Sequence, residues 1–385
     1  MQIEAKNRVN FKRVFFVSLI ILLLFASPFG AQQSAYMYGQ HSGLKYFKNY
    51  GPIDYSNQPQ NWAILQDKRG IIYVGNHGGL LEFDGISWRL IRIPNYSVRS
   101  MAIDNEGKIF IGGNNEIGCL APDSQGSLHY VSLVRRLKDE QKNFGNVWRT
   151  FATKEGVYFC TLNFLFRWDS RQMKVWESTY LFHTSFTCAG QFFINHKEIG
   201  LMRMVDDSLK LIPGGKAFAK KKIYMMAPYH MGRLLIGTDS EGFYLYDGTS
   251  AAPFHTGADR YLKKNRLSHG TRLANGDFVL ATRLGGIVII DSSGKLKQIL
   301  NKDSGLLDNN VWYVCEDLQG NLWLALNNGI TKIEYASPIS FYDNRTHLPG
   351  MVLSLTRHGQ HNDLIVGTTS GLHVLAADGN FRPIP

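Results

Sequence analysis

Three tryptophans open apolar runs at corresponding places in this chain, each with polar neighbours. Trp62 precedes Ala63-Ile64-Leu65, Trp148 is followed by Arg149, and Trp312 comes after Asn309 and Asn310. His269 stands in a similar opening position. A second set occupies turns: Asn76 with His77, Asn114 to Glu116, Asp239 with Ser240, Thr282 with Arg283, and Asn327 with Asn328. Flat aromatic faces beside amides, imidazole and guanidinium suit a sugar or aromatic ligand, because the rings stack while the polar groups fix hydroxyls. The candidate ligand-binding residues are Trp62, Asn76, His77, Trp148, Arg149, Arg283, Asn310, Trp312, Asn327 and Asn328. Each also has a plainer explanation. Asn at a turn serves backbone geometry, and Trp at the start of a strand packs against its neighbours.

Catalytic constellations are absent from the sequence. There is no G-x-S-x-G elbow, no H-E-x-x-H, no phosphate-binding glycine loop and no calcium loop. The histidines are scattered, and His358 with His361 is the only close pair, which at that loop spacing reads as solvated rather than metal-bound. Asp206-Asp207 reads as an exposed turn. The expectation is a non-enzyme with no catalytic residue, metal or cofactor.

These residues are positioned by a repeat. Asp-x-x-Gly followed by a short apolar run recurs about every 40 residues, a period that marks solenoids and propellers. Clear copies are Asp67 to Gly70 with Ile71-Ile72-Tyr73-Val74, Asp104 to Gly107, and Asp317 to Gly320 with Asn321-Leu322-Trp323. Each unit reads as strand, Asx-type turn, buried strand, glycine turn, strand and a fourth strand. No useful helix pattern follows residue 34. The fold class is therefore all-β, a β-propeller of four-stranded antiparallel blades, with seven blades expected and eight as the alternative. Residues 44–338 carry the blades. Residues 339–385 form one more repeat, either an eighth blade or the start of a second propeller. Leu44 to Asn49 reads as an outer strand able to complete the last blade.

Residues 1–33 have a basic start, an apolar stretch from Val14 to Phe25, and Ala26-Ser27-Pro28. The stretch is shorter than the ~20 residues of a membrane span, so it reads as a secretory signal, with an uncleaved anchor as the alternative. The expected location is periplasmic or facing the cell exterior. Of the formal charge of +11, this leader supplies part through Lys6, Arg8, Lys12 and Arg13. The remainder is dispersed among clusters such as Lys220 to Lys222 and Arg260 to Arg266, read as solvated loops or edge strands. Nucleic acid is not an expected partner. Cys119, Cys160, Cys188 and Cys315 lack metal spacing and read as buried thiols, Cys160 with Cys188 being the one pair worth testing for a disulfide.

The unit from Gly305 to Glu334, with Asp317, Gly320, Leu322-Trp323-Leu324 and Gly329-Ile330, resembles the two-component regulator propeller repeat, and the resemblance extends over residues 44–385. It implies the periplasmic sensor region of hybrid histidine kinases and related regulators, mainly of Bacteroidetes, where ligands are often glycan fragments. Such sensors continue into a second propeller, a triple-tyrosine domain, a membrane helix and a kinase, so the chain is expected to be the N-terminal piece of one. A saccharide or other small ligand, a homodimer and a partner membrane sensor kinase are the implied partners. The Asp turns are also similar to those of streptogramin-lyase-like propellers, which leaves a lyase or glycoside-active enzyme as the second expectation and an interaction scaffold as the third. Sialidase Asp boxes fit less well, because Cys315 stands where they have Ser or Thr.

Overall fold

The Asp-x-x-Gly turns all close in the same way. Asp67 Oδ1 accepts the amides of Arg69 (2.9 Å) and Ile71 (3.1 Å), while Gly70 turns back with φ +89°. Asp104 and Asp317 repeat this arrangement, the former on Glu106 and Lys108, the latter on Gln319 and Asn321. In the last case Trp323 Nε1 also donates to Asp317 Oδ2 at 3.0 Å, locking the turn to the next strand. A side-chain acceptor plus a glycine at positive φ reverses the chain within four residues.

In the computed structural model, which describes residues 43–359, 362–376 and 379–385, these turns build eight four-stranded antiparallel sheets. The leader reading for residues 1–33, and His361 of the histidine pair, lie outside the described residues. Seven sheets begin with an inner strand: Asn61–Gln66, Val98–Ile103, Arg149–Thr153, Phe182–Cys188, Ile223–Pro228, Leu267–Arg272 and Val311–Glu316. Each inner strand packs beside the next, and the last beside the first, so these seven sheets form a closed ring of blades. The second strands are buried on both faces, as in Ile72–Asn76, Ile109–Gly113 and Leu322–Leu326. That explains why they read as unbroken apolar runs rather than alternating ones.

The chain's two directions meet in the seventh blade. Phe47–Tyr50 pairs antiparallel with Ile330–Ile333, Tyr50 opposite Ile330, and supplies that sheet's fourth strand. Tyr50 stacks on Trp323 at 6.0 Å and meets Phe83 and Trp88 of the first blade edge-on at 5.4 Å each. One side chain thus joins both sides of the seam, and no blade of the ring keeps an open edge towards the closure.

Blade contacts also dictate small residues. A Cβ on Gly75 would lie 2.8 Å from Val98 Cγ1 of the next blade, and one on Gly237 would lie 2.9 Å from Leu267 Cδ2. Ala281 and Ala325 occupy the equivalent position and are fully buried.

One expectation about the elements needs correction. The basic segment Arg260 to Arg266 is neither loop nor edge strand: Asp259–Asn265 is a short helix, and Asp259 Oδ1 accepts from the amide and hydroxyl of Thr256 in the loop before it. The four cysteines are free thiols, the expected reading, with no bridge between Cys160 and Cys188, and burial pushes the Cys160 thiol up to about 12. Asp206-Asp207 is an exposed turn as expected, and Asp207 holds Arg167 and Lys174 there. The eighth sheet comprises Val352–His358, Asp363–Thr368, Gly371–Leu375 and Phe381–Pro383. Its first strand is exposed at every residue, unlike the inner strands of the ring, and its small core is Leu348, Val366 and Phe381.

Candidate functional site

Six of the seven inner strands carry a β-bulge where they begin. The ladder slips between Asn61 and Ala63, Val98 and Ser100, Phe182 and Thr184, Ile223 and Met225, Leu267 and His269, and Val311 and Tyr313. The extra residues are Trp62, Arg99, His183, Tyr224, Ser268 and Trp312. Trp148, immediately before Arg149–Thr153, holds the same place in the remaining blade. A bulge re-aims the inserted side chain and frees a backbone carbonyl. Neighbouring blades bond the carbonyls just before these positions: Ser100 Oγ donates to Val147 O (2.7 Å), Thr184 Oγ1 to Ile223 O (2.7 Å), and Ser268 Oγ to Val311 O (2.5 Å). Each bond fixes the residue just before Trp148, Tyr224 or Trp312.

The inner strands all run in one direction around the ring, so the bulged residues meet at one end of its channel. Trp62 lies 4.7 Å from Trp312 and 6.1 Å, edge-on, from Trp148. The Arg99 guanidinium sits 3.9 Å above Trp62 and 5.6 Å from Trp148. Across the mouth, Arg283 Nη2 donates to Tyr224 OH at 2.7 Å, and its guanidinium is 6.0 Å from the Trp312 ring. His183 meets Tyr224 edge-on at 5.5 Å. Arg283 is aimed by its turn: the Thr282 amide and hydroxyl both bond Gly286 O, and the Arg283 amide bonds the carbonyls of Asn265 and Arg266.

Beneath this layer is a cavity of about 560 Å³ lined by all seven inner strands. Arg99, Arg149, Tyr224, His269 and Tyr313 form part of its wall. His269 stacks on Tyr313 at 4.0 Å, and its Nδ1 accepts the Val314 amide at 3.4 Å, which assigns the ring proton to Nε2. Burial, reinforced by the charge of Arg149, holds His269 well below its ordinary value, so it is neutral. Burial with nearby Lys222 brings His183 down to about 4. Burial also lowers Arg149, and brings Arg99 down to about 10. Tyr313 is pushed up to about 12, so its hydroxyl stays protonated. The site therefore offers guanidinium, indole and phenol donors with aromatic faces. Trp62 Nε1, Trp312 Nε1, Arg99 Nε, Arg283 Nε and Asn310 Oδ1 are buried without a hydrogen-bond partner among the described residues.

Of the residues expected from sequence, Trp62, Trp148, Arg149, Arg283 and Trp312 come together here, and Asn310 adjoins them beside Trp312. The three tryptophans meet one another across blades, Trp62 contacting both Trp148 and Trp312. Asn76 belongs elsewhere: it is buried, donates to Gln58 O and Asn61 Oδ1, and accepts the Gly78 amide, which makes it a turn residue. Asn327 Oδ1 accepts from Gln60 Nε2, and Asn328 is exposed. His77 lines a separate surface depression with Asn57, Asn95 and Tyr96. Sequence reasoning missed Arg99, His183, Tyr224 and Tyr313. The available signal was positional: the residue after the first buried side chain of the inner strand is the one that bulges in six of the seven units. Among the described residues no group of three His, Cys, Asp or Glu side chains is placed to hold a metal ion.

No family model matches the chain, and no curated protein matches it. Solved structures do. The extracellular domain of the hybrid two-component system BT3049 from B. thetaiotaomicron superposes with a TM-score of 0.66 at 19% identity, over 89% of this chain and 49% of that one. The extracellular domain of the one-component system BT4673 from the same organism gives 0.59 at 15% identity, over 90% and 54%. A streptogramin B lyase gives 0.56 at 12% identity, over 76% and 98%. At these identities the likeness is one of fold. The chain spans about half the length of the two extracellular domains.

Proposed function

We propose that this propeller is the exported, non-catalytic ligand-binding part of a sensor, and that it takes a saccharide or similar ring compound at the bulged end of its channel. The observation that carries this reading is the convergence of Trp62, Trp148 and Trp312 with Arg99, Arg283 and Tyr224 from six separate blades. Burial of five polar atoms without partners is costly unless something binds them. Rings stacked on indole, with hydroxyls reaching those donors, are the chemistry that would use both. The likeness to sensor extracellular domains, rather than any shared ligand residue, supports the sensing role. A membrane kinase, or a second copy of the chain, would receive the signal.

The eighth sheet fits this reading as the first blade of a second ring. Its first strand has the same bulge, between Val352 and Ser354, and leaves Leu353 and Leu355 each 66% exposed. Blades of the first ring cover the corresponding surface with a neighbour.

The alternative is an enzyme, favoured by the match over nearly the whole length of the lyase. Both readings are tested by titrating the purified chain with an oligosaccharide panel while following tryptophan fluorescence and Tm, then assaying the same panel for turnover. Stabilisation with quenching and no product supports the sensor; product formation that is lost in Trp62→Ala supports the enzyme.

A further inference from the structure

We infer that the channel selects an anionic ligand: a ring compound whose carboxylate or sulfate is held by Arg99 and Arg149, with Arg283 at the mouth. The inference rests on the reading of the channel as the ligand site and deepens it.

Arg69, Arg89, Arg167, Arg266 and Arg345 each hold an Asp or Glu carboxylate. Arg99, Arg149 and Arg283 form no ion pair among the described residues, although they are the ones enclosed by the ring. Their neighbours are neutral: indole faces around Arg99, the Tyr224 hydroxyl at Arg283, and the Trp148 carbonyl 3.1 Å from Arg149 Nη1. The carboxylate lining the cavity, Glu316, ends the opposite end of its strand, where Oε2 accepts the Ala274 amide at 2.7 Å. His183 and His269 are held neutral and add no charge of their own, and the acid near His183, Asp239, is taken up by Arg266 at 2.6 Å. A guanidinium taken out of water without a counterion is unfavourable by itself, and becomes favourable when an oxyanion arrives to accept its forked N–H groups. Aromatic faces beside the guanidinium supply the surface for the ring that carries the oxyanion.

Three disaccharides of one backbone separate the possibilities: the neutral parent, the form ending in a hexuronate, and the 6-sulfated form. Affinity is measured by calorimetry and tryptophan quenching on the full chain. The expected result is binding of an anionic form at least tenfold tighter than the parent, weakening as sodium chloride rises, and falling at least tenfold in Arg149→Gln. Whichever of the two charged forms binds more tightly names the oxyanion. Inorganic sulfate against chloride at equal ionic strength gives an independent readout: its stabilisation should shrink in the Arg99→Gln/Arg149→Gln double variant, whereas a general salting-out effect would persist. Equal affinity for the neutral parent, unchanged by Arg149→Gln, overturns the anion selection and leaves the channel as a ligand site. Absence of binding by all three overturns both.

Discussion

Replacing Arg99 by methionine should make the ligand-free protein more stable, the reverse of what loss of a well-bonded core residue does. Burial lowers the Arg99 guanidinium from 12.5 to about 10. At 1.36 kcal/mol per pH unit, that drop represents about 3 kcal/mol of unfavourable charge burial, and water in the channel reduces it to about 1–2 kcal/mol. Methionine follows the same path over Trp62, keeping contact with the ring while giving up a cation–π attraction of about 0.5–1 kcal/mol. The net expectation is a gain of about 0.5–1 kcal/mol, or roughly 1–3 °C in Tm for a ring of this size. Urea unfolding followed by far-UV circular dichroism, with Tm from calorimetry, measures it. The same variant should lose the stabilisation that an anionic ligand confers on the wild type. A fall of more than about 1 kcal/mol in the variant would refute the reasoning, since it would mean that Arg99 is a structural strut rather than an unpaired charge.

The histidine behind Tyr224 should make the fold acid-sensitive. Because His183 titrates at about 4 in the fold and near 6.5 when unfolded, the unfolded chain takes up the proton first as pH falls, so stability drops between pH 6.5 and 4. That slope should flatten in His183→Phe, by at most about 3 kcal/mol over the window, as read from urea midpoints at pH 7.5 and 4.5. Asp317→Ala strands the amides of Gln319 and Asn321 and the Trp323 indole, and should cost about 2–4 kcal/mol in urea unfolding; a loss below 1 would contradict the turn-locking role. Tyr50→Ala removes the side chain shared by the first and last blades, at a cost of about 3–5 kcal/mol, with hydrogen exchange accelerated first at Ile330–Ile333. Uniform acceleration around the ring would show that the seam is no weaker than the other blade contacts.

What the chain's own chemistry determines is local. An Asp followed three residues later by Gly makes its turn with neighbours two to four residues away, so Asp67, Asp104 and Asp317 announce themselves. The apolar runs behind them follow from burial on both faces, and the repeat therefore identifies a propeller. Trp62 and Trp312 stand at the same offset before Asp67 and Asp317, while Trp148, Arg149 and Arg283 are read from their places in units whose turns lack that Asp. Asn76 shows the limit of that reasoning, because a turn asparagine that bonds its own loop looks identical in sequence to one that faces a ligand.

Tertiary structure decided which side chains meet. Trp62 and Trp312 are brought to 4.7 Å by ring closure, in which the first inner strand packs on the last and Phe47–Tyr50 completes the seventh blade. Arg99 in Val-Arg-Ser reads as an ordinary solvated charge until the bulge at Val98 turns it over Trp62, and its lack of an acidic partner depends on six other blades. The carbonyls that Ser100, Thr184 and Ser268 satisfy belong to strands one blade further on. Turn formation uses atoms a few residues apart, whereas a channel wall is assembled from residues about forty apart in sequence, one per repeat. That physical difference in range separates the fold, which the repeat reveals, from the unpaired arginines that give its channel a charge.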